Sequence, residues 1–222
     1  MSERTTRTDR AEATRERILS TAERLFAEHG LFAVSNRQVS EAAGQGNNAA
    51  VGYHFGTKTD LVRAIVRKHT EEIERLRLGL VEQTNGSTDV RDWVACFVHP
   101  FTRHLADLGT PTWFARFAAQ LMTDPGFRPI MVEEALTSST LHEALAGMDR
   151  CLPELPTDVR AERYDMVRQL IMHMCAERER ALAEETPTPR ADWHAASCGL
   201  IDAITGMWLA PVTPPAEDPG AN

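Results

Sequence analysis

Cys96, Cys151, Cys175 and Cys198 lie far apart in the 222-residue chain, with no CxxC pair among them. That pattern argues against a disulfide framework or a zinc ribbon and reads as reduced thiols, with no metal site expected. No run approaches the roughly 18 apolar residues of a membrane-spanning helix. The opening MSERTTRTDR has charge but lacks the apolar stretch of a secretory signal. A cytoplasmic protein with no membrane partner is the expectation. There is no GxSxG, no HExxH, no glycine-rich phosphate loop and no clustered acid pair, so neither an enzyme nor a cofactor is expected. Aromatics are scarce, with 8 Phe, 4 Trp and 2 Tyr. No segment alternates like a strand, and no repeat or heptad array is visible.

Alanine, leucine, glutamate and arginine are plentiful instead. Apolar residues make up 42% and charged residues 25%, a balance ordinary for a soluble domain and inclined to helix. Net charge is −8, but it is unevenly spread: residues 1–70 carry 11 Lys and Arg against 8 Asp and Glu, and the remainder carries 13 against 24. A mildly basic N-terminal part is joined to an acidic body, which would be held off a polyanion while the basic end approaches it.

The spacing predicts an all-α chain. A first helix runs from Asp9 to His29, with Ile18, Leu19, Ala22, Leu25 and Phe26 on one face and Gly30 as its stop. Ser35 and Gln38 form a capping box for a second helix that ends at Gly44. A very short third helix spans Asn48 to Phe55. Thr57 and Asp60 then launch a long fourth one, which ends in TNGSTD, residues 84–89. Further helices are expected over 90–108, interrupted or bent at Pro100, then over 112–122, 129–148, 157–185 and 190–209. The expected organisation is a flexible arm over 1–11 and a helix-turn-helix domain over 12–72. An effector-binding and dimerisation domain comes next over 73–210, with a disordered proline-rich tail over 211–222.

Two capped helices around a glycine-containing turn are the sequence form of a helix-turn-helix. At about 100° per residue, Val51 and Phe55 define the packed face of the third helix. Ala49 and Tyr53 lie opposite, flanked by Gly52 and Ala50. Small side chains with one hydroxyl suit close approach to a groove. Alanine can touch a thymine methyl, glycine lets the backbone near phosphate, and Asn47 and Asn48 can pair with adenine edges. Tyr53 and His54 can donate to phosphate oxygens. The alternatives are that Asn47-Asn48 caps the helix and that Tyr53 is a core aromatic. Lys58 places a cation beside the positive end of a helix macrodipole, a conflict that an external phosphate would remove.

The segments RILSTAERLFAEHG, SNRQVSEAAG and YHFGTKTDLVRAI, within Arg17 to Ile73, resemble the N-terminal domain of the TetR family of bacterial transcriptional regulators. The resemblance implies an all-helical homodimer with a three-helix DNA-binding domain and a C-terminal domain that binds a small-molecule effector. It also places Ser35, Arg37, Tyr53, His54, Thr57 and Lys58 at positions that touch DNA. One spacing departs from the family: eight residues, QGNNAAVG, separate Gly44 from Tyr53, where most members have fewer. The extra length either extends the turn or starts the helix earlier. The base-reading roles of Asn47, Asn48 and Ala49 therefore rest on a poorer match than the phosphate roles of Tyr53 and Lys58. A double-stranded DNA operator and an effector are the expected partners, and a repressor reading a palindrome is the expected function. A helical adaptor that binds protein through the same helices is the competing reading.

For the C-terminal part, the small residues of the last helix favour close helix approach. Val167, Ile171, Met174, Ala196, Leu200, Ala203, Ile204 and Met207 are expected at a symmetric four-helix dimer interface, an intramolecular core being the alternative. Trp113, Phe117, Met122, Met166 and Met172, with Phe114, are candidates for an apolar effector pocket. His104, His142 and His173 read as ordinary buried or surface histidines.

Overall fold

The computed structural model describes residues 2–47 and 49–213. Ten helices are present among them and no strand: α1 Ser2–His29, α2 Asn36–Ala42, α3 Ala50–Phe55, α4 Lys58–Thr84, α5 Val90–Leu108, α6 Phe114–Thr123, α7 Arg128–Leu136, α8 Ser139–Cys151, α9 Thr157–Ala183 and α10 Trp193–Leu209. The capping boxes at Ser35/Gln38 and Thr57/Asp60 form as their spacing predicts. Gly30, Gly44 and Gly56 lie just past helix ends with positive φ, where a side chain would be strained.

Three expectations are corrected. Helix α1 starts at Ser2, so the described part of the expected arm over 1–11 is continuous helix. No Gly or Pro breaks the chain before Gly30, and Glu, Arg and Ala favour the helical backbone. The helix expected over 129–148 is two. The run Thr137-Ser138-Ser139-Thr140 competes with the helical backbone, and the Ser138 hydroxyl accepts from the Leu141 amide at 3.0 Å to begin α8. Pro100 neither ends nor interrupts α5, which is continuous from Val90 to Leu108. The tail from residue 214 onward lies outside the described residues.

Several helix ends are satisfied by distant side chains. Trp113 offers α6 no side-chain cap. Instead the buried carboxylate of Glu179, from α9, accepts from the amides of Ala115 and Arg116 at 3.0 Å each and from the Thr112 hydroxyl. A carboxylate there also complements the helix dipole. At the other polarity, the Arg163 guanidinium donates to the carbonyls of Trp208 and Ala210 at 2.7 Å and so closes α10.

Helices α1 to α4 surround Phe26, Val39, Val51, Leu61 and Ile65, all fully buried. Helix α4 continues onward to pack against α5, α7 and α8, while α6 packs on α9 and α10 on α5. At the α5–α8 crossing, a Cβ on Gly147 would lie 2.4 Å from the Trp93 ring, so only glycine fits. The two parts of the chain meet where α1 packs on α6. There Phe26 stacks on Phe117 with ring centroids 6.1 Å apart, and the Gln120 amide donates to the Ala27 carbonyl at 3.0 Å.

Candidate nucleic-acid interface and ligand cavity

The turn before α3 explains the unusual spacing. Gln45, Gly46 and Asn47 are non-helical, so the extra length extends the turn rather than starting the helix earlier. Asn47 organises the entry to α3. Its side-chain oxygen accepts from the Ala49 amide at 2.9 Å, and its carbonyl accepts from that of Ala50 at 3.0 Å. Helix α3 is anchored by Val51, fully buried, and by its amide, which donates to the buried Ser40 hydroxyl of α2 at 3.3 Å. On the opposite side Ala49 and Gly52 are exposed, Gly52 has open space around its Cα, and Tyr53 is 83% exposed. Tyr53 is therefore not a core aromatic. Ala50 departs from the expected outward position: it is buried beside Val51, from which it is only about 100° around the helix.

Ser35, Arg37 and Thr57 are exposed around this face. The Ser35 and Thr57 hydroxyls donate within their caps, to Gln38 at 2.8 Å and Asp60 at 2.6 Å, which leaves oxygen lone pairs rather than a free donor. Among the described residues Arg37 pairs with Glu41 alone, at 2.8 Å on the surface, a contact easily exchanged for another anion. His54 is half-buried at the end of α3, and its carbonyl accepts from Arg15 of α1 at 3.0 Å. Asn48 lies outside the described residues.

The expected role of Lys58 is corrected. Its ammonium does not wait for an external anion: it donates to the carbonyls of Leu31 and, at 2.6 Å, Val34, and sits 5.4 Å from the Phe26 ring centroid. Burial lowers its pKa. Two carbonyl oxygens in the loop between α1 and α2 resolve the conflict with the dipole of α4 inside the protein.

The second feature is a cavity of about 410 Å³ walled by α4 to α10. Met122 and Met172 line it, together with Phe114, Phe101 and Trp208. Trp113, Phe117 and Met166 do not. Phe117 is spent on its stack with Phe26, Trp113 sits half-buried at the start of α6, and Met166 faces outward, 45% exposed. Val132 and Leu136 line the cavity yet are exposed, which puts its mouth at α7.

Between cavity and α1 lies a buried chain that sequence spacing does not reveal. His69 of α4 bonds the Glu23 carboxylate of α1 through Nε2 at 2.8 Å, and His104 of α5 through Nδ1 at 2.7 Å. Two neutral imidazoles satisfy both bonds when each Nε2–H donates toward Glu23. Phe114, a cavity wall, stacks on His69 with centroids 3.8 Å apart.

Residues 18–65 match the family model for bacterial regulatory proteins of the tetR family, and residues 95–207 match the tetracyclin repressor-like C-terminal domain. The chain belongs to the TetR family. It is a helix-turn-helix transcriptional regulator, not an enzyme. Similar relatives include the HTH-type transcriptional repressor AcnR of Corynebacterium diphtheriae, 31% identical over 153 residues, 65% of this chain and 72% of that one. AcnR of Corynebacterium glutamicum is 30% identical over 140 residues, 62% of this chain and 64% of the relative. The TetR-family regulator PfmR of Thermus thermophilus shares the fold, at a TM-score of 0.56 and 19% identity over 85% of this chain and 96% of that one. In this TetR-family chain no described helix is long and apolar enough to cross a membrane.

The expected dimer residues separate into two groups. Val167, Ile171, Leu200 and Ile204 are buried within the single chain, because α9 lies on α6 and α10 on α5. They belong to the intramolecular core. Ala203 and Met174 face outward, and Ala196 and Met207 are half-buried.

Proposed function

We propose that the chain is a homodimeric cytoplasmic repressor that binds a palindromic DNA operator and leaves it when a small molecule enters the cavity. The DNA-binding unit is residues 12–72 and the effector and dimerisation unit 73–210. The observation that carries this reading is the outward face of α3, where Ala49 and Gly52 stand clear beside an 83% exposed Tyr53. A large aromatic left in solvent on a slim helix marks a binding surface, and its hydroxyl suits phosphate. The name of the AcnR relatives supports repression. Phe114 supports release by ligand, since it belongs to the cavity wall and also packs on the buried chain that reaches Glu23 of α1. Movement of that ring gives a ligand a route to bias the spacing of the two DNA-binding units.

Selection of bound fragments from random DNA is expected to yield a palindrome with half-sites a helical turn, or a multiple of it, apart. Anisotropy titrations on that sequence should lose about 0.9 log units of affinity per log unit of salt for each phosphate neutralised. A flat salt response, or no enriched sequence, overturns the reading.

A further inference from the structure

Two donors in the cavity wall lack acceptors among the described residues. Trp208 is fully buried, and its Nε1–H has no hydrogen-bond partner. Arg168 lines the same cavity, and its buried Nη1 likewise has none. Tyr164, one turn before Arg168 on α9, meets the Trp208 ring edge-on with centroids 4.8 Å apart. The Tyr164 hydroxyl does not fill the need, because it donates to Asp149 at 2.7 Å. A buried donor without an acceptor is costly, and natural proteins retain few. In a cavity wall, a ligand oxygen is the natural acceptor.

The charges lining the cavity narrow the ligand. They are Arg77, Arg168 and Asp165. Arg168 Nη2 pairs with Asp165 at 2.7 Å, but that carboxylate is 67% exposed and screened by solvent. Arg77 is buried, with Glu74 at 3.2 Å. Arg77 is already matched by Glu74, Ser138 and the Cys96 carbonyl, whereas Arg168 keeps a free Nη1 beside a solvent-screened carboxylate, so the donor capacity left open favours an anion and opposes an amine. The remaining lining is mostly apolar: Phe101, Phe114, Met122, Met148 and Ile171 among others, so a small hydrophilic acid would leave most of it unmatched.

Resting on the ligand-released reading above, we propose that the effector is an apolar carboxylic acid. Its hydrocarbon body occupies the phenylalanine- and methionine-lined end, and its carboxylate accepts from Arg168 Nη1 and Trp208 Nε1.

The test compares decanoic acid with decan-1-ol by calorimetry on the full chain at neutral pH. The acid should bind about tenfold tighter or more, as expected of a charge-assisted hydrogen bond over a neutral one. Arg168→Met keeps the aliphatic stem and should bring the acid down to the affinity of the alcohol while leaving the alcohol unchanged. Asp165→Asn, which removes the competing carboxylate, should tighten the acid alone. Equal binding of acid and alcohol by the unmodified chain, no binding of either, or weakening of the acid in Asp165→Asn overturns the proposal. Anisotropy on the selected DNA without ligand is read in the same preparations. Loss of DNA binding there sinks the regulatory reading separately, and intact DNA binding without acid preference sinks only the ligand assignment.

Discussion

Proline at position 100 removes the amide that would have bonded the Cys96 carbonyl four residues back in α5. The chain supplies a substitute: Arg77 Nε of α4 donates to that carbonyl at 3.1 Å, while Nη1 reaches Glu74 at 3.2 Å and Ser138 at 3.3 Å. A proline that should break a helix is thus tolerated because a neighbouring helix carries the missing donor. Arg77→Met is expected to cost about 2–3 kcal/mol, the penalty of a buried acceptor left bare plus the loss of a buried charge partner. Pro100→Ala restores the helical amide, so in that background the same substitution should cost about 1–2 kcal/mol less. Urea unfolding of the four proteins of the cycle measures this, and equal costs in both backgrounds would show that Arg77 does not compensate for the proline. Lys58 teaches the same lesson in reverse. Its position in the first turn of α4 was legible as electrostatically odd, but the carbonyls of Leu31 and Val34 that resolve it lie 27 and 24 residues away. Lys58→Glu would therefore remove a structural tie between α4 and the loop after α1, and not merely a surface charge.

Among the elements, those governed by residues within one turn were readable in advance. The boxes at Ser35 and Thr57, the glycine stops and the long α4 are of this kind. What stayed hidden depends on residues far apart in sequence: Glu179 capping α6, and Glu23, His69 and His104 joined across α1, α4 and α5. That last group makes the junction sensitive to acid. Burial first, and the adjacent His69 second, hold the His104 imidazole down to about 4 from an ordinary 6.5. The unfolded chain therefore takes up a proton near pH 6.5 that the folded chain resists until about pH 4, so stability is full above this window and falls as pH drops through it. About 1 kcal/mol should be lost between about pH 7 and pH 5, after allowance for solvent screening. His104→Gln keeps a donor for His69 but cannot take up the proton, so its melting temperature should fall less over the same range. An identical fall in both proteins would place the acid sensitivity elsewhere.

At the scale of the molecule, an apolar stripe reports that a helix face is covered but not by what. Val167, Ile171, Leu200 and Ile204 were legible as a covered face, and their cover is the chain's own α6 and α5 rather than a second copy. The outward face of α9 that remains is mixed. It carries Glu162, Gln169 and His173 with Met166, 45% exposed, and Met174, 52% exposed. On α10, Ala203, Gly206 and Leu209 are outward. If the dimer proposed above forms there, two thioethers flanked by groups that can hydrogen-bond give it an apolar centre with a polar rim. The net charge of −8 makes pairing on DNA matter more, since each protomer brings a predominantly acidic body with its one slim basic end. Joining two half-site contacts contributes an effective concentration that a single protomer lacks. Met174→Glu, which sets a carboxylate at the centre of that face, is expected to give monomers by sedimentation velocity. It should also weaken operator binding by about a hundredfold or more, with decanoic acid binding in the cavity unchanged. A variant that still sediments as a dimer would move the interface off this surface of α9 and α10.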